Sequence, residues 1–244
     1  MPQAAARRCC RDRAGRLPGE RCAVRSAGGG PVISPDPDPA RRLLQALALF
    51  PLRQVLFPGG QLALKVFEAR YLDLAADCLR RRAPFGVVCL TRGDEVRGGR
   101  DDVRCAGAGV LARIDTADAE QPGLLHLACT GTGRFRLVGE AVQQADGLWV
   151  GDAQALPDDE AVPPDPALRP AVQALAQAIE QLRSQGHEPF ALPHRLDEAG
   201  WVANRWCELL PVPQAAKQRL MELDDPQLRL RLVHDYLAGQ GVLP

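Results

Sequence analysis

The chain has 244 residues, 46% hydrophobic and 25% charged, with 30 basic residues balanced by 30 acidic ones. These are the proportions of a soluble globular protein. The longest apolar run, Leu43 to Phe50, contains Gln45 and stops at Pro51, too short to cross a bilayer, so the expectation is a cytoplasmic protein without a membrane partner. The charge is unevenly spread: residues 1–44 hold 9 Arg against 4 acids, residues 45–155 are balanced at 13 each, and residues 156–244 hold 8 basic against 13 acidic residues. A nucleic-acid binder gains affinity by neutralising phosphates with a basic surface. The only surplus here lies ahead of the folded body, which argues against a nucleic-acid partner.

Residues 1–43 are expected to be a disordered extension or to precede the true start. Arg, Gly and Pro dominate, Pro35-Asp36-Pro37-Asp38-Pro39 suits neither helix nor sheet, and no apolar stretch follows Arg7-Arg8 to make a secretory signal. Ordered patterning begins near Leu47. The turn Phe57-Pro58-Gly59-Gly60 leads to Leu62, Leu64 and Val66, whose period of two predicts a strand. Leu72, Ala75, Ala76 and Leu79 share a helical face, and the run Arg80-Arg81-Arg82 suits the negative end of that helix.

Strands are predicted over 85–91, 107–115, 124–130, 133–139 and 147–156. They are punctuated by Gly93-Asp94, Gly98-Gly99, Pro122-Gly123, Gly131-Thr132-Gly133 and Asp146-Gly147. At Pro157 the texture changes to a proline-rich acidic linker containing Asp158-Asp159-Glu160. Four helices follow, marked by Leu168/Val172/Leu175/Ile179/Leu182, by Val202/Trp206/Leu209, by Ala216/Leu220/Leu223 and by Leu228/Leu232/Val233/Tyr236. In the last, Asp225 can cap and Pro226 suits the first turn. The division predicted is an extension (1–43), a β domain (44–157) and a helical subdomain (158–244).

Chemistry is sparse. The eight cysteines form no C-x-x-C pair and no His lies at zinc-ligand spacing from them, so they read as reduced, structural residues. His187 and His194 flank a proline-containing loop and read as surface histidines. No cofactor or metal is expected. Trp201 and Trp206 diverge by ~140° on a helix of ~3.6 residues per turn, which predicts one buried indole and assigns Trp201 as a partner contact.

The segment Phe50-Pro51-Leu52 … Val55-Leu56-Phe57-Pro58-Gly59 … Leu62 … Leu64 … Val66-Phe67-Glu68 … Arg70-Tyr71 resembles the opening signature of the Lon protease N-terminal, substrate-binding domain. Phe85-Gly86-Val87-Val88, Gly107 with Ala112-Arg113-Ile114, Gly133-Arg134-Phe135-Arg136-Leu137, Glu208-Leu209-Leu210-Pro211 and Lys217 to Leu223 follow in the family's order, so the resemblance covers about residues 45–240. It implies an α+β fold: a PUA-like β-rich pseudo-barrel with one early helix, then a four-helix bundle. It also implies a stand-alone, non-catalytic module that captures unfolded or tagged polypeptide, with a separate protease or chaperone as partner. Within the signature, Phe57, Pro58, Gly59, Phe67, Glu68, Arg70 and Tyr71 read mainly as structural. Phe57, Phe67 and Tyr71 are apolar anchors, and Glu68 and Arg70 are charges able to pair elsewhere. The chain has no G-x-x-x-x-G-K-[ST] loop, and Ser26, Ser34 and Ser184 lack the lysine partner of a Ser-Lys peptidase. RNA binding, as in other PUA-like folds, and a hydrolase with an unseen site are the competing readings.

Overall fold

A computed structural model describes residues 42–92 and 104–243. The extension 1–41 and the turns at Gly93-Asp94 and Gly98-Gly99 lie outside the described residues. Among the described residues, seven strands and five α-helices make a mixed α+β fold: β1 (Leu43–Leu52), β2 (Gln61–Val66), α1 (Ala69–Arg81), β3 (Phe85–Arg92), β4 (Arg104–Gln121), β5 (Leu124–Leu137), β6 (Val142–Gln143), β7 (Trp149–Ala155), α2 (Arg169–Ser184), α3 (Ala199–Leu209), α4 (Gln214–Glu222) and α5 (Pro226–Gly239).

The strand order is β2-β5-β4-β3-β1-β7-β6, and β5 also pairs with β7. That extra pairing closes β5, β4, β3, β1 and β7 into a ring, with β2 and β6 hanging from its rim. All pairs are antiparallel except β1–β3, and α1 lies in the connection that a parallel pair requires. Side-chain alternation gives the ring two buried faces. Leu49, Val88, Phe135 and Ala153 cluster on one, where Leu47, Leu111 and Trp149 join them. Phe135 fits there because Gly109 has no side chain: a Cβ would stand 2.7 Å from its ring and 2.2 Å from the Val87 carbonyl.

The opposite face (Phe85, Val87, Ala108, Val110, Ala112) shares one large core with α1 and the C-terminal helices, including Leu175, Trp206, Met221, Leu230 and Leu237. The β-rich and helical halves therefore bury each other's apolar surface. The helices gather round α3, which contacts α2, α4 and α5.

Several sequence expectations need correction. Gly131-Thr132-Gly133 does not end a strand, because β5 runs through it. Gly131 is needed for close approach, since a Cβ there would meet the Phe57 carbonyl at 2.4 Å. On α5 the buried face is Pro226, Arg229, Leu230, Val233 and Leu237, while Leu228 and Leu232 are 40% and 45% exposed. The helix is turned so that an arginine points inward. Its start follows expectation: Asp225 accepts from the backbone N–H groups of Gln227 and Leu228 at 2.8 and 3.2 Å, with Pro226 in the first turn.

The candidate site: a cleft at the junction of sheet and helices

The turn 57–60 is built by local chemistry. The Gly60 N–H donates to the Phe57 carbonyl at 2.9 Å, and Gly59 adopts φ +74°, a left-handed conformation that costs glycine little. The Gly59 N–H donates to the Gly131 carbonyl, and the Gly131 N–H to the Gly60 carbonyl, both at 2.8 Å. The turn is thereby sewn to β5, with Phe57 fully buried beneath it.

From the other side comes Arg205 of α3. Its guanidinium donates to the carbonyls of Gly59 (2.5 Å) and Pro58 (2.9 Å) and to the Glu208 carboxylate (2.8 Å). Phe190 and Trp201 cover its face at 5.4 and 5.9 Å. With its side chain 1% exposed, Arg205 pays a desolvation penalty that lowers its pKa, partly offset by Glu208. Burial also pushes Glu208 up to about 7, against the opposing pull of Arg205 and Lys217. Glu208 thus changes charge near neutral pH, at the wall of a cleft.

That cleft has a volume of about 430 Å³ and lies between the 54–62 segment and the helical half. Val55, Leu56 and Leu62 form one wall; Phe190, Leu209 and Val212 form the other, with Glu208 and Lys217 at the polar end. Leu209 is 37% exposed. The Lys217 ammonium donates to the Glu208 carbonyl at 3.1 Å, which holds α4 against the end of α3. A second cleft, about 400 Å³, continues past Gln54 between Phe50, Leu52 and Arg53 on one side and Ala63, Leu64 and Lys65 on the other.

Other buried arginines fasten the same junction. Arg134 of β5 donates to the carbonyls of Pro157, Met221 and Leu223. Arg229 of α5 donates to the carbonyls of Leu220 and Leu223, to Asn204 at 3.0 Å and to both oxygens of Asp159. Asp159, expected in a solvated acidic linker, is therefore an anchor that neutralises a fully buried guanidinium and also lies 3.5 Å from Arg134.

The signature residues sort into two groups. Phe57, Pro58 and Gly59 form the cleft's turn. Tyr71 is buried and stacks on Phe50 at 4.0 Å, tying α1 to β1. Glu68 and Arg70 pair with each other at 2.8 Å, not with distant charges, because the chain turns into α1 between them; Arg70 also donates to the Gly147 carbonyl and covers the Tyr71 ring. Phe67 is no buried anchor, since it is 57% exposed just past the end of β2. Trp201 is not an exposed contact: both it and Trp206 are 6% exposed, Trp201 among Phe190, His194 and Arg205 and Trp206 with its indole N–H on the Ala171 carbonyl. The 140° separation assumed one core, whereas α3 is enclosed on nearly all sides.

Reasoning from sequence missed Arg205, Glu208 and Leu209 as site residues; the only signal was an apolar residue beside a charged pair at the i, i+3 spacing. The five described cysteines are free thiols, and burial raises those of Cys129 and Cys207 to about 12, which leaves them protonated and unreactive. Among the described residues no cluster of His, Cys, Asp and Glu could hold a metal ion, and no helix is long and apolar enough to cross a membrane.

The sequence profile of the ATP-dependent protease La (LON) substrate-binding domain matches residues 46–239. The Lon protease of Paraburkholderia phytofirmans is 30% identical over 206 residues, 80% of this chain and 24% of that protein. Lon protease 2 of Myxococcus xanthus is 29% identical over 199 residues, 79% of this chain and 23% of that protein. The chain thus spans about a quarter of the length of the curated relatives it matches. A Lon N-terminal domain protein from Xanthomonas campestris has the same fold in its crystal structure, with TM-score 0.61 and 33% identity over 79% of this chain and 99% of that one. The N-terminal domain of a Mycobacterium avium complex Lon protease shares the fold at TM-score 0.52 and 17% identity, over 80% of this chain and 98% of that one. The chain belongs to the Lon substrate-binding domain family.

Proposed function

We propose that this chain is a polypeptide-binding module of the Lon type that holds unfolded or tagged segments in the cleft between the 57–60 turn and helices α3 and α4, for delivery to a protease. The observation that carries the reading is the cleft itself. It sets the exposed, apolar Leu209 beside Val55, Leu56 and Val212, between walls that Arg205 and Lys217 lock in place. Apolar side chains on a pre-organised wall bind unfolded chain without a large ordering cost. The closed strand ring supports a PUA-like assignment for the β half, and the packing of α2, α4 and α5 on α3 supports a helical bundle for the rest.

The reading assigns the chain no bond-breaking step. Ser184, the described serine, ends α2 with its hydroxyl donating to the Gln181 carbonyl at 2.7 Å. The test is fluorescence anisotropy of the whole chain with a labelled, permanently unfolded (reduced and alkylated) protein, its native form and a single-stranded RNA, at low and high salt. Salt-tolerant binding of the unfolded protein alone is expected. Binding of RNA that falls steeply with salt, or cleavage of the polypeptide, overturns the reading.

A further inference from the structure

Among the described residues, strand β2 stands at the end of the strand order and is paired only with β5. Its register from Gln61 to Val66 is unbroken, so it has no bulge, and it contains no proline and a single charge, Lys65. Natural sheet edges are commonly guarded by those three devices; of the three, β2 carries only the charge.

The direction of its backbone groups follows from one bond. The Gly60 carbonyl accepts from the Gly131 N–H, and in an antiparallel ladder successive residues point their N–H and C=O to alternate sides. The backbone groups of Leu62, Leu64 and Val66 therefore face β5, and those of Gln61, Ala63 and Lys65 face away. Both clefts are lined by β2, one by Gln61 and Leu62 and the other by Ala63, Leu64 and Lys65, and they share Gln54. The two lysines that line them, Lys65 and Lys217, stand against the single carboxylate of Glu208, which is already paired with Arg205. A row of backbone donors and acceptors is matched by another extended backbone, and the basic surplus favours carboxylates beside it.

We infer that the free edge of β2 takes up an extended, acid-flanked apolar polypeptide segment as an added strand. The inference rests on the polypeptide-binding reading and deepens it: main-chain pairing gives affinity that is tolerant of sequence, as a receptor for unfolded chains needs, while the Leu209 wall and the basic rim select apolar, acid-flanked stretches.

The experiment uses the whole chain and a fluorescein-labelled peptide of alternating Val and Thr with a Glu at each end. Two versions carry backbone N-methyl groups, one on every Val amide and one on every Thr amide. One methylated set is expected to lose about tenfold or more in affinity and the other to bind nearly as well, because only one set of amides faces β2. Exchanging the terminal Glu for Lys weakens binding about threefold or more. Ala63→Pro removes an edge N–H without removing a bond to β5, so that variant keeps the parent's melting temperature within a few degrees and loses the peptide.

Equal effects of the two methylation patterns, with the unfolded protein still bound, overturn strand addition and leave the polypeptide-binding reading standing. Failure of peptide and unfolded protein alike overturns both. A concentration-dependent dimer that Ala63→Pro abolishes, in a chain that ignores the peptide, overturns the inference in favour of edge pairing between copies.

Discussion

The inside of the strand ring and the seam between ring and helices are both buried, yet they are held by different physics. Inside the ring, Leu49, Val88, Phe135 and Ala153 are fitted by shape, and glycines supply the room for one aromatic ring. At the seam, Arg134, Arg205 and Arg229 spread their donors over backbone carbonyls of the turn, the linker and the helix ends. The first region is specified by volume. The second is specified by hydrogen-bond geometry, with an unpaired buried charge as the penalty for error. The candidate cleft lies against the second, so it is positioned by arginine forks more than by apolar fit.

The contrast breaks most clearly on Phe135. Phe135→Ala is expected to cost about 3–5 kcal/mol in chemical denaturation, because the closed ring cannot collapse into the void, and Phe135→Leu to recover most of that. Should the alanine variant cost less than about 1 kcal/mol, the ring interior is not shape-specified.

Arg205 tests the other region. Arg205→Met keeps the length and loses the donors, for an expected cost of about 2–3 kcal/mol at pH 8. Arg205→Lys recovers little, since an ammonium cannot span two carbonyls and a carboxylate as a planar fork does. Full rescue by lysine would reduce the seam to simple charge.

The smallest effect is in pH. The Glu208 pKa is raised by burial to about 7 in the folded chain, above the ~4.3 of an unfolded glutamate. The folded state therefore holds the extra proton, and this group's stabilising contribution is complete below about pH 4 and lost as pH rises through about 7. Glu208→Gln should gain in melting temperature relative to the parent as pH rises from about 5 to about 8, because the parent alone loses its contribution as the pH passes the folded value. A constant difference across that window would show that Glu208 stays ionised throughout.

How much of this was legible beforehand follows the same divide. Period-two alternation in Gln61–Val66 marks its strand because apolar burial writes a period into the chain. The spacing of Leu72, Ala75, Ala76 and Leu79 marks the helix α1 but not its buried face, which is Arg70, Tyr71, Leu74, Ala75 and Cys78, with Leu79 44% exposed. The Asp225-Pro226 helix start is equally local. The seam is not. An arginine in a helix reads as solvated, so Arg229 inside α5 displaced the expected Leu228/Leu232 face. An acidic run between prolines reads as linker, and the anchoring role of Asp159 depends on a guanidinium 70 positions away. Phe67 reads as core because it is large and apolar, but the alternation that buries Leu62, Leu64 and Val66 puts it on the exposed side. Of the candidate cleft, the Phe57-Pro58-Gly59 turn was visible from sequence; Arg205, Glu208 and Leu209 were not, because what unites them with the turn is tertiary.

The central claim, that polypeptide is held where sheet meets helices, is tested most directly by amide hydrogen exchange of the whole chain with and without saturating unfolded polypeptide. The account predicts new protection in residues 53–65 and 205–217, with the exposed Leu228–Leu232 surface of α5 unchanged. Protection on α5 with none beside the 57–60 turn would contradict it.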